Sequence, residues 1–287
     1  MAEAVHRVES TPELDRPAGM VASVISSVIR HGRLKDAASG TWLGHPLHPV
    51  LVSLPIGAWT SATVLDLTSL HRSVAARRLV GLGLLAAVPT AAAGGSDWVD
   101  TSGAERRVGL VHAVGAWTSI GFYAASWRVR RRDTIAGKAL ALAGAGTLAI
   151  TGYLGGHLTY AYGVGVDTTA FESGPQDWTD LAPDAEVSEG SLKQYRVDDV
   201  ALLVTRWQGR LYALADRCSH RGGPLSEGKF DAGCVTCPWH SSTFAIADGS
   251  VQSGPASIAQ PVYEVRSVDG TVQARRLEER SLRQNPV

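Results

Sequence analysis

Four apolar segments, each close to the length that spans a lipid bilayer, constrain this chain more than any other feature. They run from about Leu47 to Leu70, Leu79 to Gly95, Val108 to Trp127 and Gly137 to Tyr160. A helix needs ~20 apolar residues to cross ~30 Å of hydrocarbon. Asp66 is the only formal charge in the first segment, and the second is short and rich in Ala and Gly. Buried helices of a water-soluble core are the competing explanation, but four in a row with so few charges argue against it. Pro55 and Pro89 would break helices in water, whereas neighbouring helices in a membrane bundle satisfy the freed backbone groups. Gly152-Tyr153-Leu154-Gly155-Gly156 holds a G-x-x-x-G spacing suited to close helix contact. A four-helix transmembrane bundle over residues 41–162 is expected.

The flanking stretches differ in kind. Residues 1–40 comprise a polar stretch, Met1–Pro17, and an amphipathic one, Gly19–Arg33. The first has no apolar centre of a signal sequence and reads as a mobile tail. The second places Val21, Val24, Ile25, Val28 and Ile29 at helical spacing, for a helix on a membrane surface or on the bundle. Residues 163–183 are richer in Gly, Asp, Thr and Pro and read as a linker, free to swing or packed down. From 184 to 276 short strand-like runs alternate with turns. Ser191–Val197 and Ala201–Trp207 flank Asp198-Asp199; Gln208-Gly209-Arg210, Asp248-Gly249 and Asp269-Gly270 mark further turns. Residues 277–287 are polar and expected to fray. The fold class is therefore α+β with two domains, a helical membrane bundle followed by a small all-β domain. Lys and Arg number 27 against 27 Asp and Glu, so nothing suggests a nucleic-acid surface.

The chemistry concentrates in Cys218–Phe244. Cys218-Ser219-His220 and Cys237-Pro238-Trp239-His240 form two Cys-His pairs, C-x-H and C-x-x-H. Two thiolates and two imidazoles suit a [2Fe–2S] cluster in which His pairs replace Cys on one iron. A structural zinc site uses the same ligand types, but its spacing usually pairs Cys with Cys and His with His. Arg221-Gly222-Gly223-Pro224-Leu225 and Cys237-Pro238-Trp239-His240 resemble the cluster loops of the Rieske family, in particular its ferredoxin-like members that serve oxygenases. The resemblance implies Cys218, His220, Cys237 and His240 as ligands, for both the metal and the cofactor, with Gly223, Pro238 and Ser242 around them. It covers Asp177–Arg276. Gly223 and Trp239 stand where the high-potential members carry a disulfide, and Phe244 stands where they carry a Tyr that donates to the cluster. Fewer donors stabilise the reduced cluster less, so a low or intermediate potential is expected. Cys234, the third and last cysteine, reads as a small buried hydrophobe, which leaves no pair for a structural disulfide.

The membrane half carries its own polar residues: His45, His48, Asp97, His112 and His157. Threading the helices up and down puts all five at one membrane face, the face of the Rieske-like domain. Two imidazoles from different helices could hold haem b; the same set with Asp97 could handle the protons of a quinone site. Plain hydrogen bonding at helix ends is the third option. His71 reads as solvated. Gly44–Gly57, which contains His45-Pro46-Leu47-His48-Pro49, resembles the opening of four-helix bacterial membrane proteins of the DUF2231 type, whose activity is not established. Loop charges favour a cytoplasmic side for Arg72, Arg77 and Arg78 with Arg128, Arg130, Arg131, Arg132 and Lys138, eight against five for Arg30, Arg33, Lys35, Arg106 and Arg107. Asp97, Asp100 and Glu105 offset the latter set. The Rieske-like domain then lies outside the cytoplasm of a multi-pass membrane protein, with Arg131-Arg132 only weakly similar to a twin-arginine signal.

The leading functional expectation is a membrane-anchored carrier that passes single electrons between a membrane donor and a redox protein partner, with lipid as its surroundings. A small quinol-oxidising or haem-containing oxidoreductase is the alternative, and a redox sensor a third. An oxygenase fits poorly, since it needs non-haem iron in a further domain and no polar domain follows Arg276.

Overall fold

The computed structural model describes residues 1–29, 32–68 and 73–277. Among the described residues seven α-helices precede ten strands: α1 (Ala2–Glu9), α2 (Asp15–Val28), α3 (Arg33–Ser39), α4 (Leu47–Thr68), α5 (Val74–Trp98), α6 (Gly103–Val129) and α7 (Thr134–Tyr160), then β1 to β10. The chain divides into two compact units. Met1–Arg30 and Pro46–Gly165 form a helical unit; His31–His45 joins Val166–Val287 in the other. The sequence reading set residues 1–40 apart as a tail and an amphipathic helix; within that stretch α3 groups with the β unit. Arg30, His71, Arg72 and the stretch expected to fray after Leu277 lie outside the described residues.

In the helical unit α4 to α7 are long and apolar enough to cross a membrane. Their distribution of polarity is reversed relative to a protein in water. Ile135, Leu85, Val88 and Leu82 are 81, 75, 68 and 57 % exposed, while Asp66, Arg130, Ser119, Ser126, Thr90 and Thr151 are buried. Such a surface is stable only where hydrocarbon is the solvent. Ser73 accepts from Ala76 N and Asp133 from Ala136 N at the starts of α5 and α7, and Glu105 takes the Ser102 N–H at the start of α6 at 2.8 Å. Pro55 and Pro89 sit inside α4 and α5. Inside, Trp59 of α4 stacks on Tyr123 of α6, ring centroids 4.2 Å apart, and Gly83 and Gly144 leave room for those two rings. Arg130 Nη1 donates to Asp66 Oδ1 at 2.7 Å, the second fork arm reaches Oδ2, and Nε donates to Ser126 Oγ at 2.9 Å. Arg130 is therefore a buried partner of Asp66, not the loop charge its sequence position suggests.

The polar N-terminal stretch folds instead of trailing. Val5 of α1 packs with Val108 and Leu154. Glu9 Oε1 accepts from Tyr162 Oη at 2.8 Å and lies 2.9 Å from His157 Nε2. Arg107 grips both Asp15 oxygens, at 2.6 and 2.9 Å. The bonds from Tyr162 and His157 lower the Glu9 carboxyl below its ordinary pKa, Tyr162 contributing most. A carboxylate with a lowered folded-state pKa contributes stability above its unfolded pKa and loses it as pH falls through the folded value. Glu9→Gln is accordingly expected to loosen α1 by about 1 kcal/mol, seen as faster amide exchange in residues 2–9, with wild type approaching the same rate only in acid. α2 meets the bundle through Ala18 and Ala22 against Trp98. Its Val21, Val24 and Val28 are 42, 65 and 67 % exposed, which suits contact with lipid.

The β unit begins with β1 (Thr179–Pro183), β2 (Lys193–Val197), β3 (Val200–Trp207) and β4 (Arg210–Ala215), and ends with β9 (Val262–Val268) and β10 (Thr271–Arg276). These six make one sheet in the order β1-β10-β9-β4-β3-β2, antiparallel throughout. Asp198, Gln208 and Asp269 turn the hairpins with positive φ. Between β4 and β9 the chain inserts a second sheet of four short strands, β5 (Lys229–Asp231), β6 (Cys234–Thr236), β7 (Thr243–Ala245) and β8 (Val251–Ser253). Leu203 and Leu214 of the large sheet pack with Val235, Phe244 and Ile246. Cys234 is half-buried on β6, less enclosed than expected. Residues 166–178 pack down: Thr168 Oγ1 donates to Cys218 O at 2.7 Å, and Arg276 N donates to Pro175 O at 2.6 Å.

Candidate functional site

Two loops of the β unit share one backbone design. Cys218 follows β4, and Cys237 follows β6. Cys218 N donates to Gly223 O at 2.9 Å, and Cys237 N to Ser242 O at 2.8 Å. Gly222 N returns to Cys218 O at 2.8 Å, and Ser241 N to Cys237 O at 3.1 Å. Gly222 and Ser241, each four residues past its cysteine, both have left-handed φ, 76° and 61°. Each loop thus turns back on its cysteine and presents the histidine inside the turn. Gln260, buried to 2 % exposure, braces the first loop: its Oε1 accepts from Ser219 N, and its Nε2 donates to Ala215 O and Arg217 O. Ser242 Oγ, buried in the second loop, accepts from Ala256 N at 3.0 Å, which leaves its own proton to donate.

The donors arrive as two pairs. Cys218 and Cys237 are buried, and a hydrogen bond between their sulfurs holds Cys237 at about 7 while pushing Cys218 up. Backbone N–H groups of His220 and Arg221 point at one sulfur and those of Trp239 and His240 at the other, which favours thiolate. His220 and His240 meet edge to face, centroids 5.2 Å apart. Nδ1 of both rings is sealed from solvent although the side chains are only half-buried, so the opposite edge of each ring faces outward. Burial, then His240, Lys35 and Arg221, lower His220 well below its ordinary pKa, which keeps the imidazole neutral, the form that ligates. Among the described residues no three His, Cys, Asp or Glu side chains converge as a single ion requires. A thiol pair beside an imidazole pair fits a [2Fe–2S] group in which thiolates hold one iron and imidazoles the other. A Cβ at Gly223 would lie 2.9 Å from Cys237 Sγ and 3.0 Å from the Trp239 ring, so that position is closed to any side chain. Pro238 and Trp239 are exposed beside His240.

The histidines of the helical unit separate into different settings. His48 Nδ1 lies 3.0 Å from Thr90 O, and His112 Nδ1 2.9 Å from Thr151 O. His157 is paired with Glu9. His45 belongs to the β unit, and Asp97 lies in the last turn of α5.

Residues 177–264 match the family model described as Rieske [2Fe-2S] domain. Ferredoxin CarAc of Metapseudomonas resinovorans is 31% identical over 98 residues, 34% of this chain and 92% of that protein. The anthranilate 1,2-dioxygenase ferredoxin subunit of Burkholderia cepacia is 33% identical over 97 residues, 34% of this chain and 90% of that one. The chain belongs to the Rieske [2Fe–2S] family. Its Rieske domain implies a [2Fe–2S] cluster, and the donor set above fits one. Human apoptosis-inducing factor 3 is 28% identical over 94 residues, 32% of this chain but 16% of its own length. Among solved structures, the ferredoxin–oxygenase complex of carbazole 1,9a-dioxygenase aligns at 30% identity over 36% of this chain and 99% of that chain, with a TM-score of 0.34. Residues 44–168 match a second family model, the predicted membrane protein family DUF2231.

Neither match reaches residues 1–43, yet part of that stretch belongs to the Rieske unit. Asp36 Oδ1 of α3 accepts from Gly254 N at 2.8 Å. Thr41 Oγ1 lies 2.7 Å from Gly254 O and 3.0 Å from Ala256 O, as donor to these carbonyls. Ala256 N in turn binds Ser242 Oγ, and Ser242 O holds Cys237 N. Residues 32–45 are thereby strapped to the second cluster loop. Lys35, 3 % exposed, is on this strap and within electrostatic reach of His220. A cation near the centre favours the state with the extra electron. At an effective permittivity of ~20, a unit charge 8–16 Å away is worth roughly 1–2 kcal/mol, or about 40–90 mV for one electron. Lys35→Met is expected to lower the midpoint potential by that order, and Lys35→Arg to restore most of it, in a redox titration followed by EPR. Nothing in the sequence pattern around Lys35 signals this; only long-range contact reveals it.

Proposed function

We propose that the protein is a membrane-anchored single-electron carrier, its [2Fe–2S] cluster held by Cys218, His220, Cys237 and His240. The observation that carries this reading is the pair of matched loops that bring two thiols and two imidazoles together with their Nδ1 atoms inward. The bound cluster supplies one-electron redox chemistry. Cys218 and Cys237 hold their sulfurs in a cage of backbone N–H groups, while His220 and His240 present their outer edges to a partner. Trp239, 57 % exposed beside them, offers that partner an apolar contact. Relatives named as ferredoxin subunits of dioxygenases support a redox protein, an oxygenase component among them, as the acceptor. Ser242 has a proton to donate, but Phe244 is buried in the core and has none, which supports a potential below that of the high-potential members. Discounting the buried Arg130 and Lys35, the loop charges stand at seven against four and still favour the Rieske domain outside the cytoplasm.

Full-length protein in detergent, reduced and mixed with a one-electron oxidant in stopped flow, should deliver one electron per [2Fe–2S] cluster, with a rhombic EPR signal that disappears in step. A reduced protein with no such signal would overturn the reading. So would steady turnover of quinol by the isolated protein, which would make it an enzyme. A redox centre within the membrane unit, haem or quinone, is a second component of the reading, favoured by the matched settings of His48 and His112.

A further inference from the structure

The membrane unit contains an internal repeat, and its axis carries the inference. On α4, Trp59 follows His48 by eleven residues and Asp66 follows Trp59 by seven. Tyr123 and Arg130 follow His112 of α6 at the same intervals. On α5 the order Gly83, Thr90, Gly94 has spacings of seven and four, and so do Gly144, Thr151, Gly155 on α7. Equivalent residues do equivalent things. Gly83 faces the Trp59 ring and Gly144 the Tyr123 ring; Gly94 faces the His48 ring and Gly155 the His112 ring. Thr90 O and Thr151 O each meet the Nδ1 of the matching histidine. The α4–α5 and α6–α7 hairpins are thus related by a pseudo-twofold axis along the bundle.

Two equivalent pairs already touch across that axis: Trp59 with Tyr123, and Asp66 with Arg130. At ~100° per residue, steps of eleven and eighteen residues return to within ~20° of the starting direction. His48 therefore shares a helix face with Trp59 and Asp66, and His112 with Tyr123 and Arg130. By the same symmetry the third equivalent pair, His48 and His112, is turned toward that axis, one ring from each hairpin. A carbonyl oxygen only accepts, so Nδ1 of each ring carries the proton and Nε2 keeps its lone pair. Among the described residues neither Nε2 makes a hydrogen bond. An imidazole anchored by Nδ1–H on a carbonyl is the usual arrangement of a metal-bound histidine.

We propose that His48 and His112 are the two axial ligands of a haem in the membrane unit, each presenting Nε2 to the iron from its own half of the repeat. A bare ion does not suit the pair: it needs about four ligands, and among the described residues no third His, Cys, Asp or Glu joins them. A porphyrin brings the other four nitrogens itself, and helix bundles hold such groups with inward side chains of facing helices. The inference rests on the redox-centre part of the reading above and is independent of the cluster ligands.

The test uses the full chain, purified in detergent from cells supplied with haem precursor. Pyridine haemochrome assay should give about one b-type haem per chain, with the low-spin ferric EPR of bis-imidazole ligation. His48→Asn and His112→Asn keep an N–H donor for Thr90 O and Thr151 O but remove the Nε2 lone pair; each should lose the low-spin signal and most of the haem. In His112→Gly, added imidazole should restore the low-spin spectrum. Wild-type protein that takes up no haem, from cells or from added haemin, overturns the proposal. Low-spin haem that persists unchanged in the double Asn variant also overturns it. The rhombic cluster signal, read in the same samples, reports the Rieske domain separately: haem absent with the cluster present sinks this inference alone, and the converse sinks the cluster reading alone.

Discussion

Cys237→Ser and Cys218→Ser should each leave a protein without cluster iron and without the rhombic EPR signal. A hydroxyl is not a thiolate at neutral pH, and the backbone N–H groups aimed at each sulfur serve a thiolate. The loops themselves should survive. The Cys218 N–Gly223 O and Cys237 N–Ser242 O bonds use no sulfur, and Gln260 anchors the first loop independently. Far-ultraviolet circular dichroism should therefore change little while iron is lost. Cys234→Ser, on β6 away from the turns, should retain full iron content. His240→Cys should behave differently: a third thiolate adds negative charge, so a cluster that still assembles should titrate lower by a few hundred millivolts, from the range of His-ligated centres towards that of all-thiolate ones. Iron analysis, EPR and redox titration decide these outcomes. A Cys237→Ser protein with undiminished cluster, or a Cys234→Ser protein without one, would refute the ligand assignment.

The parts legible in the sequence were those written in local spacing. Cys218-x-His220 and Cys237-x-x-His240 carry their chemistry in neighbouring residues, and the apolar lengths of α4 to α7 state their own solvent. The strap was not legible. Asp36 and Thr41 reach Gly254 and Ala256 more than two hundred residues away, and a short polar helix such as α3 gives no period that betrays its partner. Arg130 misled for a related reason. It follows a helix that ends beside Arg128, Arg131 and Arg132, so sequence alone places it in a basic loop, whereas the fold turns its guanidinium inward to Asp66. The five membrane polar residues looked like one group because threading preserves only height along the bundle. Contact separates His157, held by Glu9, from His48 and His112. The repeat was in fact present in the sequence as intervals of eleven, seven and four residues. It is hidden because Trp59 answers Tyr123 and Asp66 answers Arg130, so equivalent positions differ in chemistry.

That last pairing leads to the second large effect. Arg130→Met should destabilise the helical unit by about 3–5 kcal/mol, because it leaves the Asp66 carboxylate buried without a counter-charge. Asp66→Asn should cost a similar amount, since it strands a guanidinium that also holds Ser126 Oγ. Replacing both together, by Asp66→Leu with Arg130→Met, should cost less than either alone, because two well-packed apolar groups carry no desolvation penalty. The pseudo-twofold axis adds a sharper variant. Asp66 and Arg130 occupy equivalent positions of the two hairpins, so Asp66→Arg combined with Arg130→Asp rebuilds the same pair in mirror order. Part of the lost stability should return, less the repulsion from Lys138, whose Nζ lies 2.9 Å from the Asp66 carbonyl. Thermal unfolding in detergent, followed by the near-ultraviolet signal of the stacked Trp59 and Tyr123, measures each variant. A double-mutant cycle in which the swap is no more stable than the worse single variant would show that the two positions do not exchange their charges, and that the surroundings of Asp66 and Arg130, Lys138 among them, fix the order of the pair.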